Sequence, residues 1–285
     1  MSLINQRVLM SDANYFNDGF AINSHMDASK PVDLARAQAE HAEIKSLFEQ
    51  AGIEVIQVPA PPTSQDGVYT ANWALVIGDK AVMSNLPEQR ASEEPYALET
   101  LQKLGFETVK LPDDLHFSGQ GDALPCGNYI FVGSQYRTSP EVHDMLGREF
   151  GKTVIGVQAI PELGADNQPV INPVTGWPDS FFYDLDLALA VIDDHTIAYC
   201  PDALLPESQA KIRALTDIDK IEVSFDEAKT GFACNLVSTG KTVIMSNHAH
   251  NLASELRDRG YNVLSPNVTE LVKGGGFIRC VSLTL

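Results

Sequence analysis

The residues with the clearest chemical potential lie in the segment GGGFIRC, residues 274–280, which ends in a cysteine. Three consecutive glycines allow unusual backbone conformations and the close approach of another group. The apolar residues around Cys280 predict a buried strand, and a cysteine on a strand that begins at a glycine turn is well placed to be an accessible thiol. Because a free cysteine is more often a small buried hydrophobic residue, this segment alone favours a structural role for Cys280.

Composition restricts the classes of partner. The chain has 285 residues, of which 44% are hydrophobic and 20% are charged, as in ordinary globular proteins. The formal net charge of -18 argues against nucleic acid and anionic membranes, because both bind basic surfaces. It suits a cationic small molecule, although solubility explains it equally well. No apolar stretch is long enough to span a bilayer, and residues 1–10 lack the pattern of an export signal.

The four cysteines are widely spaced, and no pair has the spacing of metal ligands. They are Cys126, Cys200, Cys234 and Cys280. Without an export signal, we expect reduced thiols and a cytoplasmic protein. Neither a metal nor an organic cofactor is implied.

Several segments repeat one pattern: a polar residue, a short apolar strand, a turn rich in Gly, Asp or Asn, and a second apolar strand. The polar residues are Asn72, Asp122, Asp186, Asn235 and Cys280. They recur at intervals of roughly 45 to 65 residues, close to the range typical of propellers. Strand pairs are predicted within 72–83, 122–132, 186–199 and 235–245. The last strand, 280–283, is expected to pair with residues 7–10 and close a ring.

Helical periodicity fills the stretches between these strand pairs, at 34–51, 94–104, 139–150, 206–215 and 250–259. Several of these helices lead into a further strand, such as 52–56 and 260–264. We therefore predict one α/β domain, residues 1–285, made of five ββαβ units around an axis. If the units are equivalent, the five polar residues converge at the centre of the ring, which is a natural small-molecule site.

Five motifs make the chain resemble the guanidino-group-modifying superfamily. In chain order they are VLM, YF and AINSHM within 8–26, DGVYTAN (66–72), FSGQGD (117–122), FYDLD (182–186) and GGGFIRC (274–280). They are similar to the family's opening segment and to D-x-V-F-T-A-N, F-E-G-x-G-D, F-Y-H-L-D and G-G-G-x-x-C. The superfamily includes arginine deiminases, amidinotransferases, dimethylarginine dimethylaminohydrolases and arginine dihydrolases. The match covers essentially the whole chain and implies a five-bladed α/β propeller, the pentein fold.

The resemblance implies that the Cys280 thiolate attacks a guanidino or ureido carbon and forms a covalent adduct that water clears. The substrate-binding positions are Asp66, Asn72, Asp122, Asp186 and Asn235. A cysteine with an ordinary pKa is mostly thiol at neutral pH, and a bound guanidinium would itself lower the pKa of the thiol. The planar guanidinium also matches a carboxylate such as Asp186.

Two positions depart from the family pattern. In active members, the glutamate of F-E-G-x-G-D contacts the catalytic histidine of the H-L-D segment, whereas this chain has Ser118 and Asp184. On a regular strand, Asp184 and Asp186 would share a face, and two close carboxylates raise each other's pKa, so that one could serve as a proton donor. The alternatives are that both carboxylates only bind a cation, or that Asp184 faces a solvated rim. His116 could replace the imidazole, although a surface position is the simpler interpretation.

Two hypotheses follow. The first is a cysteine-dependent hydrolase, or an amidinotransferase, that acts on an arginine-like guanidino or ureido compound and uses Asp184 for acid–base chemistry. The second is an inactive relative that binds arginine or a similar cation as a sensor. A third, smaller option is a substrate whose leaving group needs no imidazole. Loops 61–67 and 167–178 are expected to contact the distal end of the ligand. The sequence leaves the oligomeric state open, with a homodimer as one option.

Overall fold

The structure, a computed structural model, describes residues 3–19, 21–23, 25–27, 29–173 and 176–285. The strands are β1 (Arg7–Ser11), β2 (Glu54–Val58), β3 (Ala74–Ile77), β4 (Lys80–Met83), β5 (Glu107–Val109), β6 (Ala123–Cys126), β7 (Tyr129–Val132), β8 (Thr153–Gly156), β9 (Leu189–Asp193), β10 (Thr196–Tyr199), β11 (Asp219–Glu222), β12 (Val237–Ser238), β13 (Thr242–Ile244), β14 (Asn262–Leu264) and β15 (Leu283–Thr284). The helices are α1 (Leu34–Gln50), α2 (Glu93–Lys103), α3 (Glu141–Phe150), α4 (Pro206–Ala214), α5 (Phe225–Gly231) and α6 (His250–Asp258).

These strands form five three-stranded sheets, and each sheet is one blade. In every blade the middle strand pairs antiparallel with the inner strand and parallel with the outer strand. A parallel pair needs a long crossover, which the helices supply. Strands β15 and β1 pair through Val8 with Thr284 and Leu9 with Leu283. The five-unit α/β fold and the closure of the ring by the two ends of the sequence are therefore confirmed.

The five predicted helices correspond to α1, α2, α3, α4 and α6, because their apolar spacing matches the face that each buries. Helix α1 begins after Asp33, whose side chain accepts a hydrogen bond from the Arg36 amide as an N-cap, and it buries Ala37, Ile44 and Phe48. The short helix α5 was not predicted. No helix among the described residues is long and apolar enough to cross a membrane.

The residues nearest the axis lie in turns and not on the inner strands, so the sequence-based prediction was wrong for this part of the fold. Short 3-10 turns precede three inner strands, at Thr70–Trp73, Gly119–Gly121 and Leu185–Leu187. Cys280 likewise lies in a turn, and strand β15 begins only at Leu283. A short apolar run does not distinguish a strand from a buried turn by periodicity. Backbone contacts between blades, such as the Ala71 amide donating to the Cys280 carbonyl at 3.1 Å, favour the turn.

Candidate active site

Of the five polar residues predicted to converge at the axis, Asn72 and Cys280 line a buried cavity, which we call the front pocket, whereas Asp122, Asp186 and Asn235 lie outside its lining. Its polar and charged lining includes Asp66, Asn72, Arg90, Ser118, Arg137, Asp184 and Cys280. These side chains come from several blades, so the ring fold itself assembles the pocket. Its free volume is only about 30 Å³, roughly the space of one water molecule. The lining must therefore move to admit an arginine-sized molecule.

The glycines before Cys280 are required by close packing. Gly275 has a φ of 92°, a left-handed conformation that favours glycine. A Cβ atom on Gly276 would lie 2.4 Å from the Tyr69 ring and 2.9 Å from the Cys280 Cβ. The triple glycine thus lets the chain turn tightly beneath Tyr69 and place the thiol in the pocket.

Cys280 is buried between polar partners. Its Sγ donates a hydrogen bond to Asp186 Oδ2 at 3.3 Å and accepts one from Asn235 Nδ2 at 3.2 Å. Burial, followed by the nearby Asp186 carboxyl group, raises the pKa of Cys280 well above its usual value. The raised pKa favours the thiol form of Cys280 at neutral pH. A cation beside the sulfur would favour the thiolate.

The two residues that depart from the family pattern are neighbours in space. Asn72 Nδ2 donates to Ser118 Oγ at 2.9 Å and to Asp184 Oδ2 at 2.8 Å. Burial raises the pKa of Asp184, and hydrogen bonds from Ser118 and Asn72 oppose that rise. Asp184 faces the pocket and is buried, so the solvated-rim alternative is wrong.

Asp186 is the second carboxyl group beside the thiol, but it does not share a regular strand with Asp184. Asp184 is extended, and Asp186 lies in the following 3-10 turn, so the prediction that the two side chains share one strand face was wrong. The two groups still interact: burial and then Asp184 raise the pKa of Asp186 well above its usual value. The pair therefore retains a proton more readily than two exposed carboxyl groups would.

Asp122 and Asn235 lie beside this centre and outside the described lining of the front pocket. Asp122 Oδ1 accepts a hydrogen bond from the Leu185 amide at 2.9 Å and so fixes the turn that carries Asp184 and Asp186. Burial, then Asp184, raises the pKa of Asp122 to about 7. Asn235 Oδ1 accepts from the Arg279 amide at 2.9 Å. The assignment of both residues as substrate-binding stays a prediction.

Sequence reasoning missed two arginines in the pocket. Arg90 donates to Asn72 Oδ1 at 2.8 Å and forms a two-point ion pair with Glu93, at 2.8 and 2.7 Å. Arg137 lies against the ring of Tyr183, with its guanidinium carbon 5.2 Å from the ring centre. The only local sign of this ion pair is the three-residue spacing of Arg90 and Glu93 in the sequence. The same spacing is equally typical of exposed ion pairs on helices.

His116 is exposed and packs against Trp177, with 4.2 Å between ring centres, away from the pocket lining. The described lining of the front pocket contains no histidine. No group of three metal-ligating side chains is found among the described residues. Ser24 of the opening motif, with Val174 and Thr175 of loop 167–178, lies outside the described residues, and the role of both distal loops stays a prediction.

Comparison with known proteins settles the family. Residues 10–285 match the family described as N,N dimethylarginine dimethylhydrolase, eukaryotic. The chain belongs to this family. It is 31% identical to the N(G),N(G)-dimethylarginine dimethylaminohydrolase of Mycobacterium tuberculosis, over 98% of this chain and 86% of that protein. Within the wider guanidino-modifying superfamily, it is 26% identical to the bifunctional arginine dihydrolase/ornithine cyclodeaminase ArgZ of Synechocystis, over 97% of this chain and 37% of that longer protein.

Solved structures extend this similarity to three dimensions. The N-terminal domain of ArgZ bound to its product superposes with a TM-score of 0.87 at 26% identity, covering 99% of this chain and 97% of that domain. Another structure of that domain is covalently bound to a reaction intermediate. The dimethylarginine dimethylaminohydrolase of Pseudomonas aeruginosa, at 17% identity and a TM-score of 0.78, shares the fold. Relatives of this chain are thus guanidino-group hydrolases.

Proposed function

We propose that this protein is a cysteine-dependent hydrolase of an arginine-like guanidino or ureido compound, and that Asp184 replaces the imidazole of its relatives. The observation that carries the proposal is that the Cys280 thiol and the Asp184 carboxyl group line the same buried pocket. A related ArgZ domain has been solved with a bound substrate, and the related AgrE with L-arginine. Amidino transfer would begin with the same attack of Cys280 on the guanidino carbon, but an amine, and not water, would then accept the amidino group.

The charges of the front pocket suit a zwitterionic amino acid with a cationic side chain. Asp184 in the lining, together with Asp186, which lies outside the lining but contacts the Cys280 thiol, would hold the guanidinium, whose planar donors match carboxylates. Arg137, whose Nη2 lies 3.5 Å from Asp179 Oδ1, would attract a carboxylate at the far end of the substrate, whereas Arg90 is already paired with Glu93. Burial raises the pKa of Asp66 to about 7, although the charge of Arg90 opposes this rise. Asp66 would hold a second cationic group of the substrate.

Binding of the cation prepares the reaction. Burial raises the pKa values of Cys280, Asp186 and Asp184. A guanidinium next to Cys280 and Asp186 favours the ionised forms of both groups, and their two protons leave to solvent. Asp184, whose pKa burial raises, would keep its proton as the neutral acid that the leaving nitrogen requires.

The covalent sequence balances with these groups alone. The Cys280 thiolate attacks the guanidinium carbon, and the leaving nitrogen takes the Asp184 proton and departs as ammonia or an amine. This leaves a thiouronium on Cys280 and an ionised Asp184. A water molecule then attacks the same carbon while Asp184 accepts its first proton. Breaking the C–S bond restores the thiolate, and the remaining hydroxyl proton of the adduct leaves to solvent. The product is a ureido compound.

The test is mass spectrometry of products after incubation with arginine, methylated arginines, agmatine, citrulline and simple guanidino acids. Cys280→Ala is expected to abolish turnover. Asp184→Asn, which keeps the shape but cannot transfer protons, is expected to lower kcat by roughly a hundredfold to ten-thousandfold. Asp202→Asn, at an exposed carboxyl group, serves as the matched control and should match wild type.

A second candidate, an arginine-binding sensor, is favoured by one observation: no histidine occurs in the described lining of the pocket. A sensor would bind a member of the panel in a thermal-shift assay, form no product, and retain its affinity in Cys280→Ala. Absence of both binding and turnover would contradict the substrate class itself.

A further inference from the structure

A second cavity lies on the axis, on the other side of the contact between Cys280 and Asp186. This rear cavity has a volume of about 390 Å³, far larger than the front pocket. The hairpin turns of the blades, including Gly78, Gly127 and Asp194, form its outer rim, and Asp186 and Arg279 lie in its lining. Asp186 thus touches the thiol and also lines a space on the side opposite the front pocket.

Arg279 is fixed in the lining of the rear cavity. Its Nη2 donates to Gln120 Oε1 at 2.7 Å, and its Nη1 donates to Thr284 Oγ1 at 3.0 Å. Gln120 is held in turn by two backbone contacts with Thr284: its Nε2 donates to the carbonyl at 2.9 Å, and its Oε1 accepts from the amide at 2.8 Å. These hydrogen bonds therefore hold the buried guanidinium of Arg279 in one position.

The Arg279 guanidinium donates its hydrogen bonds to neutral groups: Gln120 Oε1, Thr284 Oγ1 and the Ser282 carbonyl. Among the described residues, no carboxylate lies within 4.0 Å of it. A buried charge without an ion pair is costly, and burial accordingly lowers the pKa of Arg279, while the opposing charges that favour its ionised form are Asp186 and Cys280. Asp184 and Asn235 also face the thiol and Asp186. The other titratable groups around them are Tyr69, Tyr183 and Cys234.

We propose that Arg279 is a positioning residue that acts from the rear cavity, where its charge favours the ionised forms of Asp186 and Cys280. Its backbone reinforces this link, because the Arg279 amide donates to Asn235 Oδ1 at 2.9 Å while Asn235 Nδ2 contacts Sγ. A cation at the rear stabilises the thiolate without occupying the space that the substrate needs. The inference rests on Cys280 being the nucleophile of the proposed function, but it concerns the thiol before any substrate arrives.

The test measures the reactivity of the Cys280 thiol. The rate of Cys280 alkylation by iodoacetamide is measured against pH, with peptide mass spectrometry to separate Cys280 from the other three cysteines. In Arg279→Met, the pKa of Cys280 is expected to rise by about one unit, so that alkylation at neutral pH falls about tenfold. Arg279→Lys keeps the charge and should stay within about threefold of wild type.

Two further variants keep the test decisive if Arg279→Met folds poorly. Gln120→Glu retains the arginine and the acceptor oxygen but adds a negative charge beside the guanidinium, and it should shift the profile in the same direction. Lys152→Met removes a cation in the lining of the same cavity and should leave the profile unchanged. Superimposable profiles for wild type, Arg279→Met and Gln120→Glu would overturn the inference, as would an equal shift in Lys152→Met.

Failure of this inference is distinguishable from failure of the proposed function. A shifted thiol profile in a protein that turns over no member of the panel would retain the role of Arg279 and contradict the hydrolase. Turnover of a panel compound with an unshifted alkylation profile would support the hydrolase and contradict the role of Arg279.

Discussion

At the scale of single residues, Ser118 and Asp184 both receive hydrogen bonds from the same Asn72 amide. In the proposed function these two residues stand in for the glutamate and histidine of the family motifs. In the proposed reaction Asp184 keeps its proton while a bound cation displaces the protons of Cys280 and Asp186. Turnover would then depend more strongly on substrate charge than it does in an enzyme with an imidazole.

Restoring the family pair tests this interpretation. The double variant Ser118→Glu/Asp184→His should raise kcat by roughly a hundredfold or more, because a positioned imidazole is a stronger acid–base catalyst near neutral pH. Product formation from the best panel compound is the measurement. Asp184→His alone lacks the glutamate partner and should gain less. If the double variant binds the ligand with unchanged kcat, acid–base transfer at this position does not limit the reaction.

At the scale of elements, the turns before the inner strands position the chemistry. Asp122 fixes the Leu185 amide at the start of one such turn, and a Cβ on Gly133 would lie 1.8 Å from its carboxylate. Asp122 therefore acts here as a structural acceptor whose ionisation is unfavourable in the folded protein.

The stability contributed by Asp122 should depend on pH. Its folded pKa is raised from 3.8 to about 7, so its protonated form stabilises the fold fully below about pH 4, and this contribution is lost as pH rises through 7. Asp122→Asn keeps the acceptor oxygen but does not titrate. Urea unfolding should find Asp122→Asn more stable than wild type at pH 8 and within about 1 kcal/mol of it at pH 4. A difference that is the same at both pH values would contradict this account.

The sequence predicted the regular elements well and the axis poorly. Helices such as α1 carry their own periodic signal, and the apolar strand pairs are bounded by turn residues. Cys280 was placed on a strand, and Asp184 with Asp186 on one strand face, because local patterns do not encode the close approach of five blades. Arg90 and Arg137 carry no local motif, since each reaches the pocket only through the tertiary fold.

At the scale of the whole molecule, the ring is closed by a strand of two residues. Leu283 in β15 is fully buried and packs in one hydrophobic cluster with Leu9 and Trp73. This contact joins the two ends of the described chain and holds the turn of Cys280 against the neighbouring blade.

Leu283→Ala should therefore lower the free energy of unfolding by about 2–5 kcal/mol, the usual cost of truncating a buried leucine. Leu285→Ala, at a half-buried position, should cost clearly less. Urea unfolding followed by circular dichroism measures both. A loss for Leu283→Ala no larger than that for Leu285→Ala would show that β15 does not hold the ring closed.

The most direct test of the central claim is the mass of the intact protein, quenched with acid during incubation with the panel of guanidino compounds. The account predicts a covalent adduct equal to the substrate minus its leaving amine or ammonia, located on the peptide that contains Cys280 and absent in Cys280→Ala. In Asp184→Asn the adduct should form more slowly than in wild type, because the leaving nitrogen then lacks its acid. Ligand binding without any adduct on Cys280 in wild type would contradict the account and identify the protein as a binder.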